Sequence, residues 1–168
     1  MMSQREMYIP VLITTRCNSK LMKENDMTTI DTNPVKSSTG WNIGLWVAQA
    51  LLAAMFLMAG STKLMSGSAE LVAMGMAWAE NAPFLLIKFI GLAEVAGALG
   101  LILPSATRIM PHLTKLAAAG LALIMVLAAG LHIIRGEFEV LPMNVILFAL
   151  AALVIWGRTN KAPIAPRA

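Results

Sequence analysis

Four blocks of apolar residues, each close to the length needed to cross lipid, follow one another between residues 42 and 156. They constrain the fold more than any other feature. The apolar residues run on in long stretches and do not alternate with polar ones, which is the mark of helices surrounded by hydrocarbon. Composition agrees with lipid as the solvent. The 168 residues are 58% apolar and 13% charged, whereas a soluble domain averages about 45–50% and about 25%. Mean hydropathy is +0.72. Too few charged groups exist to coat a water-facing surface. The expected fold class is therefore all-α, an integral membrane four-helix bundle forming one domain.

The first span is expected from about Asn42 to Gly60, with Trp41 and Trp46 at its start, where an interfacial aromatic belt would place them. After it, Leu71, Met74 and Trp78 fall at helical spacing between Glu70 and Glu80. That pattern predicts a short interfacial helix or re-entrant turn between spans one and two. The second span starts after Pro83 and is expected to stop at Pro104. The third runs from about Pro111 to Ile134. The fourth, from about Pro142 to Trp156, is short and reaches across only if Phe138 to Leu141 extend it or the bilayer thins. Residues 1–40 read as a disordered tail, of which 1–26 are either an over-long gene start, since Met27 opens a more typical beginning, or a genuine flexible tail. Residues 158–168 read as a short cytoplasmic tail.

Positive residues set the orientation. The tail, the loop between spans two and three and the C-terminus share Arg5, Arg16, Lys20, Lys23, Lys36, Arg108, Lys115, Arg158, Lys161 and Arg167. The opposite side holds Lys63, Arg135 and Lys88. The positive-inside rule then puts both termini in the cytoplasm, in the cytoplasmic (inner) membrane of a bacterium. The net charge of +4 is spread over tails and loops with no basic run beside aromatics, so nucleic acid is not an expected partner. Cys17 is the single cysteine, which excludes an intramolecular disulfide and a CxxC redox pair. No phosphate-binding glycine loop, HExxH, CxxCH or nucleophile elbow occurs. His112 and His132 stand near opposite ends of one span, so no metal site is expected.

Glu94 lies eleven residues after Pro83, roughly 16 Å along the helix and so near the middle of the bilayer. An acid there costs about 2.5–3.5 kcal/mol on insertion scales and demands an offset. Gly91, Glu94 and Ala98 share one stripe with Gly97 beside it, a small-residue face for close helix packing. Glu94 reads either as a proton carrier or ligand-binding group, or as a protonated acid whose hydroxyl bridges two helices. His132, late in span three, reads as a second proton-carrying candidate or as an interfacial histidine facing water. Lys63 continues the stripe Gln49, Ala53, Phe56, Gly60 if the first helix persists past Gly60. It then offers an ammonium at the outer mouth of the bundle, or else snorkels at a helix end. Lys88 is about 120° around from Glu94, a poor direct partner, and reads as a snorkelling side chain.

Lys63, Glu94, His132 and Asn144 all fall in the outer half of the expected bundle, with only Gln49 in the inner half. A pocket open towards the outer face is expected from them. Glu94 and His132 differ in height by roughly 10 Å, so they meet only through tilt, water or a ligand.

Three segments carry a family resemblance: Phe56-Leu57-Met58-Ala59-Gly60-Ser61-Thr62-Lys63-Leu64, Gly91-Leu92-Ala93-Glu94-Val95-Ala96-Gly97, and Leu131-His132. Over about Gly40 to Gly157 the chain resembles the DoxX-like family of small bacterial four-helix membrane proteins. The family pattern is similar to Gly60 with Lys63, Glu94 with Gly97, and His132. The resemblance implies a membrane subunit, since some relatives are tied to quinone-linked oxidation of sulfur compounds and others to complexes that manage oxidative stress. Eukaryotic four-helix sterol-binding proteins look distantly similar. With no cysteine in the expected bundle, thiol-based electron transfer lacks its group here.

The leading expectation is an accessory membrane subunit binding a quinone or similar apolar ligand, with protons passed by Glu94 and His132, ligand contacts from Lys63, Asn144 and Gln49, and helix packing through Gly60, Gly91, Gly97 and Ala98. Its expected partners are the lipid membrane and other proteins or copies of itself. A nonenzymatic lipid-binding or scaffold protein is the alternative. A small transporter has less support because no inverted repeat or broken helix is visible.

Overall fold

A computed structural model describes residues 39–167. The N-terminal tail apart from residues 39 and 40, the candidate start at Met27 and Cys17 lie outside the described residues.

Helix α1 covers Thr39–Met65 and continues past Gly60. Ser61 and Thr62 do not interrupt it, because their hydroxyls donate back to the Leu57 and Met58 carbonyls at 2.6 and 2.9 Å. A short helix, α2 (Ser68–Ala73), follows and gives way to a 3₁₀ turn over Ala77–Glu80. Gly75 separates the two with a left-handed φ of 91°. Leu71 therefore packs inward with Ala79 and Ile87, while Met74 points out. The connection is helical, as the pattern predicted, but Leu71, Met74 and Trp78 do not form one continuous stripe.

Helix α3 spans Phe84–Thr107 and passes through Pro104 instead of stopping there. Only the bond to the Gly100 carbonyl is lost at that point, and the helix ends three residues later where Arg108 turns left-handed at φ 60°. Helix α4 (His112–Arg135) is closed by Gly136 at φ 72°. A 3₁₀ turn over Phe138–Val140 runs directly into α5 (Leu141–Asn160). The fourth crossing is thus the 23 residues Phe138–Asn160, roughly 34 Å, enough for a hydrocarbon core of about 30 Å.

Four helices are long and apolar enough to cross a membrane: α1, α3, α4 and the Phe138–Asn160 segment. They form an up-and-down bundle in which α1 packs on α3 and α5, and α4 packs on the same two. The core holds Leu52, Phe56, Leu101, Leu121, Met125 and Val154. Only 17–33% of each span's apolar window is buried inside the bundle, so most leucines, including Leu92, Leu99 and Leu103, face outward. The polarity is inverted relative to a soluble bundle. Among the described residues Gln49, Lys63, Glu94, Ser105, Thr114 and Arg158 are the buried polar or charged ones.

Candidate functional site

The closest approach of α1 and α3 is made by two glycines. A methyl group on Gly60 would lie 2.7 Å from the Gly91 carbonyl oxygen, and one on Gly91 would lie 2.9 Å from the Gly60 oxygen. Neither helix can carry a Cβ there without moving. One turn beyond the crossing on each helix stand Lys63 and Glu94. Helical side chains tilt towards their own N-terminus, so in this antiparallel pair both lean back to the crossing and meet. Lys63 Nζ donates to Glu94 Oε1 and Oε2 at 3.1 and 2.8 Å, with side-chain exposures of 9% and 5%.

This geometry gives Glu94 a partner on the neighbouring helix. Both Glu94 oxygens lie within hydrogen-bond distance of the same ammonium, so the group that Glu94 bridges to on α1 is Lys63. Lys63 is neither at an open outer mouth nor snorkelling outward; it turns inward, with a weaker contact to the Ala59 carbonyl at 3.5 Å.

Lys88 is not a snorkelling side chain. Its ammonium donates to the carbonyls of Lys63, Leu64 and Ser66 at 3.0, 2.9 and 2.9 Å, and lies 4.9 Å from the Phe84 ring centre. These are carbonyls that a helix end leaves without partners. Lys88 thus caps α1 and fixes the backbone that carries Lys63, although it does not touch Glu94.

His132 goes elsewhere. Its Nδ1 lies 2.7 Å from Glu137 Oε2, and Arg135 Nε donates to Glu137 Oε1 at 2.6 Å. The three residues clamp the turn between α4 and α5. The Arg135 guanidinium, followed by His132, holds the half-buried Glu137 carboxyl below the usual carboxylate range. No hydrogen bond joins His132 to Glu94 among the described residues. Asn144 stands in the first turn of α5 with its Nδ2 buried and lacking an acceptor.

Gln49 belongs to a second polar cluster, near the opposite end of the bundle. Its Nε2 donates to the Leu101 carbonyl at 2.6 Å and to Ser105 Oγ at 3.3 Å, and Ser105 shares a 2.7 Å bond with Thr114. Arg158 Nε donates to Gln49 Oε1 at 2.7 Å, and its Nη1 to Asn42 Oδ1 at 2.7 Å and to the Ala162 carbonyl at 3.3 Å. By sequence alone Arg158 is a tail charge. It sits on the last turn of α5, only 4% exposed. The signal was the spacing Ala151, Val154, Arg158, which carries the buried stripe past Trp156.

Gly97 packs against the Leu121 side chain, and Gly157 against Leu45; Ala98 is buried on the Gly91–Glu94 face. A cavity of about 420 Å³ lies at the Arg158 end, lined in part by Ser105, His112, Lys115, Arg158 and Ile164. A second, of about 410 Å³, is an open groove between α3 and α4 lined by Gly97, Gly120 and apolar neighbours. Neither includes Lys63, Glu94, His132 or Asn144. The outer-face pocket expected from those residues is not among these cavities, because Lys63 and Glu94 close on each other and His132 turns to Glu137. Among the described residues no cluster of three or more His, Cys, Asp or Glu is placed to hold a metal ion.

The profile of the DoxX-like family matches residues 47–154, which take in the glycine crossing, the Lys63–Glu94 pair and His132. The chain belongs to the DoxX-like family. This DoxX-like protein gives no match to curated proteins or to solved structures. The family match together with four long apolar helices makes it a multi-pass membrane protein.

Proposed function

We propose that this DoxX-like protein is a membrane subunit of a redox-linked complex that receives the polar head of a quinone or similar apolar ligand at the Lys63–Glu94 pair. The buried pair itself carries the reading. Removing two charges from water costs several kcal/mol per ion, and a well-packed apolar pair of the same volume is often as stable or more so. Such a pair inside a membrane span is by default a functional group. A carbonyl head could compete for the Lys63 ammonium, and the released Glu94 carboxylate could take or give the proton that accompanies reduction. The unpaired Asn144 Nδ2 offers a further donor on the same side of the bundle. Electrons would come from a protein partner.

The distribution of Lys and Arg supports a bacterial inner membrane with both termini in the cytoplasm. A second reading, a lipid-binding or scaffold protein, is favoured by the closed pair, which ties α1 to α3 through two hydrogen bonds.

Mass spectrometry of small molecules co-purifying with the wild type and with Glu94→Gln at matched yield separates the two. A quinone bound to the wild type and depleted from the variant supports the ligand reading. Absence of a specific ligand from both, with lower abundance of Glu94→Gln, favours the scaffold.

A further inference from the structure

The cavity at the Arg158 end has a charge environment that the Lys63–Glu94 site does not. It is lined by Arg158, Lys115 and His112, with Met110, Pro111 and Ile164 supplying apolar surface. The C-terminal segment forms one wall: after α5 it returns across the bundle end, and the Arg167 N–H donates to the Arg108 carbonyl at 3.0 Å. Arg108, Lys115, Arg158, Lys161 and Arg167 all lie at this end. The acids among the described residues, Glu70, Glu80, Glu94, Glu137 and Glu139, lie within α3 or towards the opposite end.

Topology alone explains why cations gather at one end, but not why one of them is buried. Arg158 is 4% exposed; its neutral partners Gln49, Asn42 and the Ala162 carbonyl, and the Trp46 ring 5.3 Å from its guanidinium carbon, supply no countercharge. Its Nη2 has no acceptor among the described residues. A guanidinium buried without an anion is costly. It is also the group best shaped to hold phosphate oxygens through two parallel bonds. The cavity beside it lies at the level where the helices end, which is where lipid headgroups lie.

We infer that this cavity is a phosphate-binding site for an anionic amphiphile. Arg158 supplies the fixed charge, Lys115 and His112 close on the phosphate from the mouth, and Met110, Pro111 and Ile164 meet the start of the acyl or glycerol portion. A phospholipid headgroup and a free phosphate share this chemistry.

Thermal unfolding of the full chain in uncharged detergent tests it, titrated separately with short-chain phosphatidylglycerol, short-chain phosphatidylcholine and inorganic phosphate. The expected result is a rise in unfolding temperature with phosphatidylglycerol at concentrations at least tenfold below those needed for phosphatidylcholine. A rise with phosphatidylglycerol but not inorganic phosphate assigns the site to lipid, and an equal rise with both assigns it to the free ion. His112→Gln combined with Lys115→Gln should weaken the phosphatidylglycerol response about tenfold. Lys115→Arg should retain it, which separates lost charge from a disturbed fold. Lys161→Gln, which removes a cation at the same end outside the cavity, should change nothing. Equal responses to the two lipids, a wild-type response from the double variant, or the same loss from Lys161→Gln would each overturn the assignment.

Discussion

Lys63 on α1 and Glu94 on α3 form an ion pair of 2.8 Å, held where two glycines let the helices touch. The pair and the glycines are one device: the crossing at Gly60 and Gly91 sets the separation, and the backward tilt of helical side chains brings the charges together.

Removing one member leaves the other buried without its partner. Glu94→Leu or Lys63→Met alone should each destabilise the protein by about 3–5 kcal/mol. The double replacement should recover most of that loss. Unfolding in a graded denaturing detergent measures the cycle, and strictly additive losses would show that the two residues are not coupled.

Gly60→Ala should cost about 1–3 kcal/mol, because its methyl would press on the Gly91 carbonyl oxygen of α3, which cannot turn aside, as well as on the Val95 and Glu94 side chains. Gly120→Ala is the control, since its added methyl meets nothing within 4 Å. Similar losses from both would remove the crossing as the explanation.

Lys88→Met keeps the aliphatic stem and loses the cap on three carbonyls. A loss of about 1–3 kcal/mol is expected, together with faster hydrogen exchange at the C-terminal end of α1. Unchanged exchange there would mean that water replaces the ammonium without penalty.

The turn between α4 and α5 should loosen in acid. Glu137 has a lowered pKa through Arg135 first and His132 second, so its contribution is complete above the ordinary carboxyl value of about 4.3 and is lost as pH falls through the lower folded value. Limited proteolysis of the turn should rise over that range in the wild type. Glu137→Gln should be more susceptible at neutral pH and lack the acid step. An identical pH profile for the two would remove Glu137 as its source.

The sequence by itself determined the solvent, the number of spans and their approximate ends, because burying an unpaired peptide group or a loose charge in hydrocarbon is so costly that apolar run length alone reports each crossing. It also singled out Glu94, Lys63 and the glycine stripe, since an acid within a span is conspicuous in one dimension. Tertiary structure decided the partners. A lysine near a helix end can snorkel, cap or pair, and only the register of α1 against α3 sent Lys63 to Glu94 and Lys88 to the α1 carbonyls. The same holds for Arg158, whose place inside the bundle depends on α5 running four residues past Trp156. His132 was drawn to Glu137, five residues away, because the Gly136 turn folds that carboxylate back onto the last turn of α4.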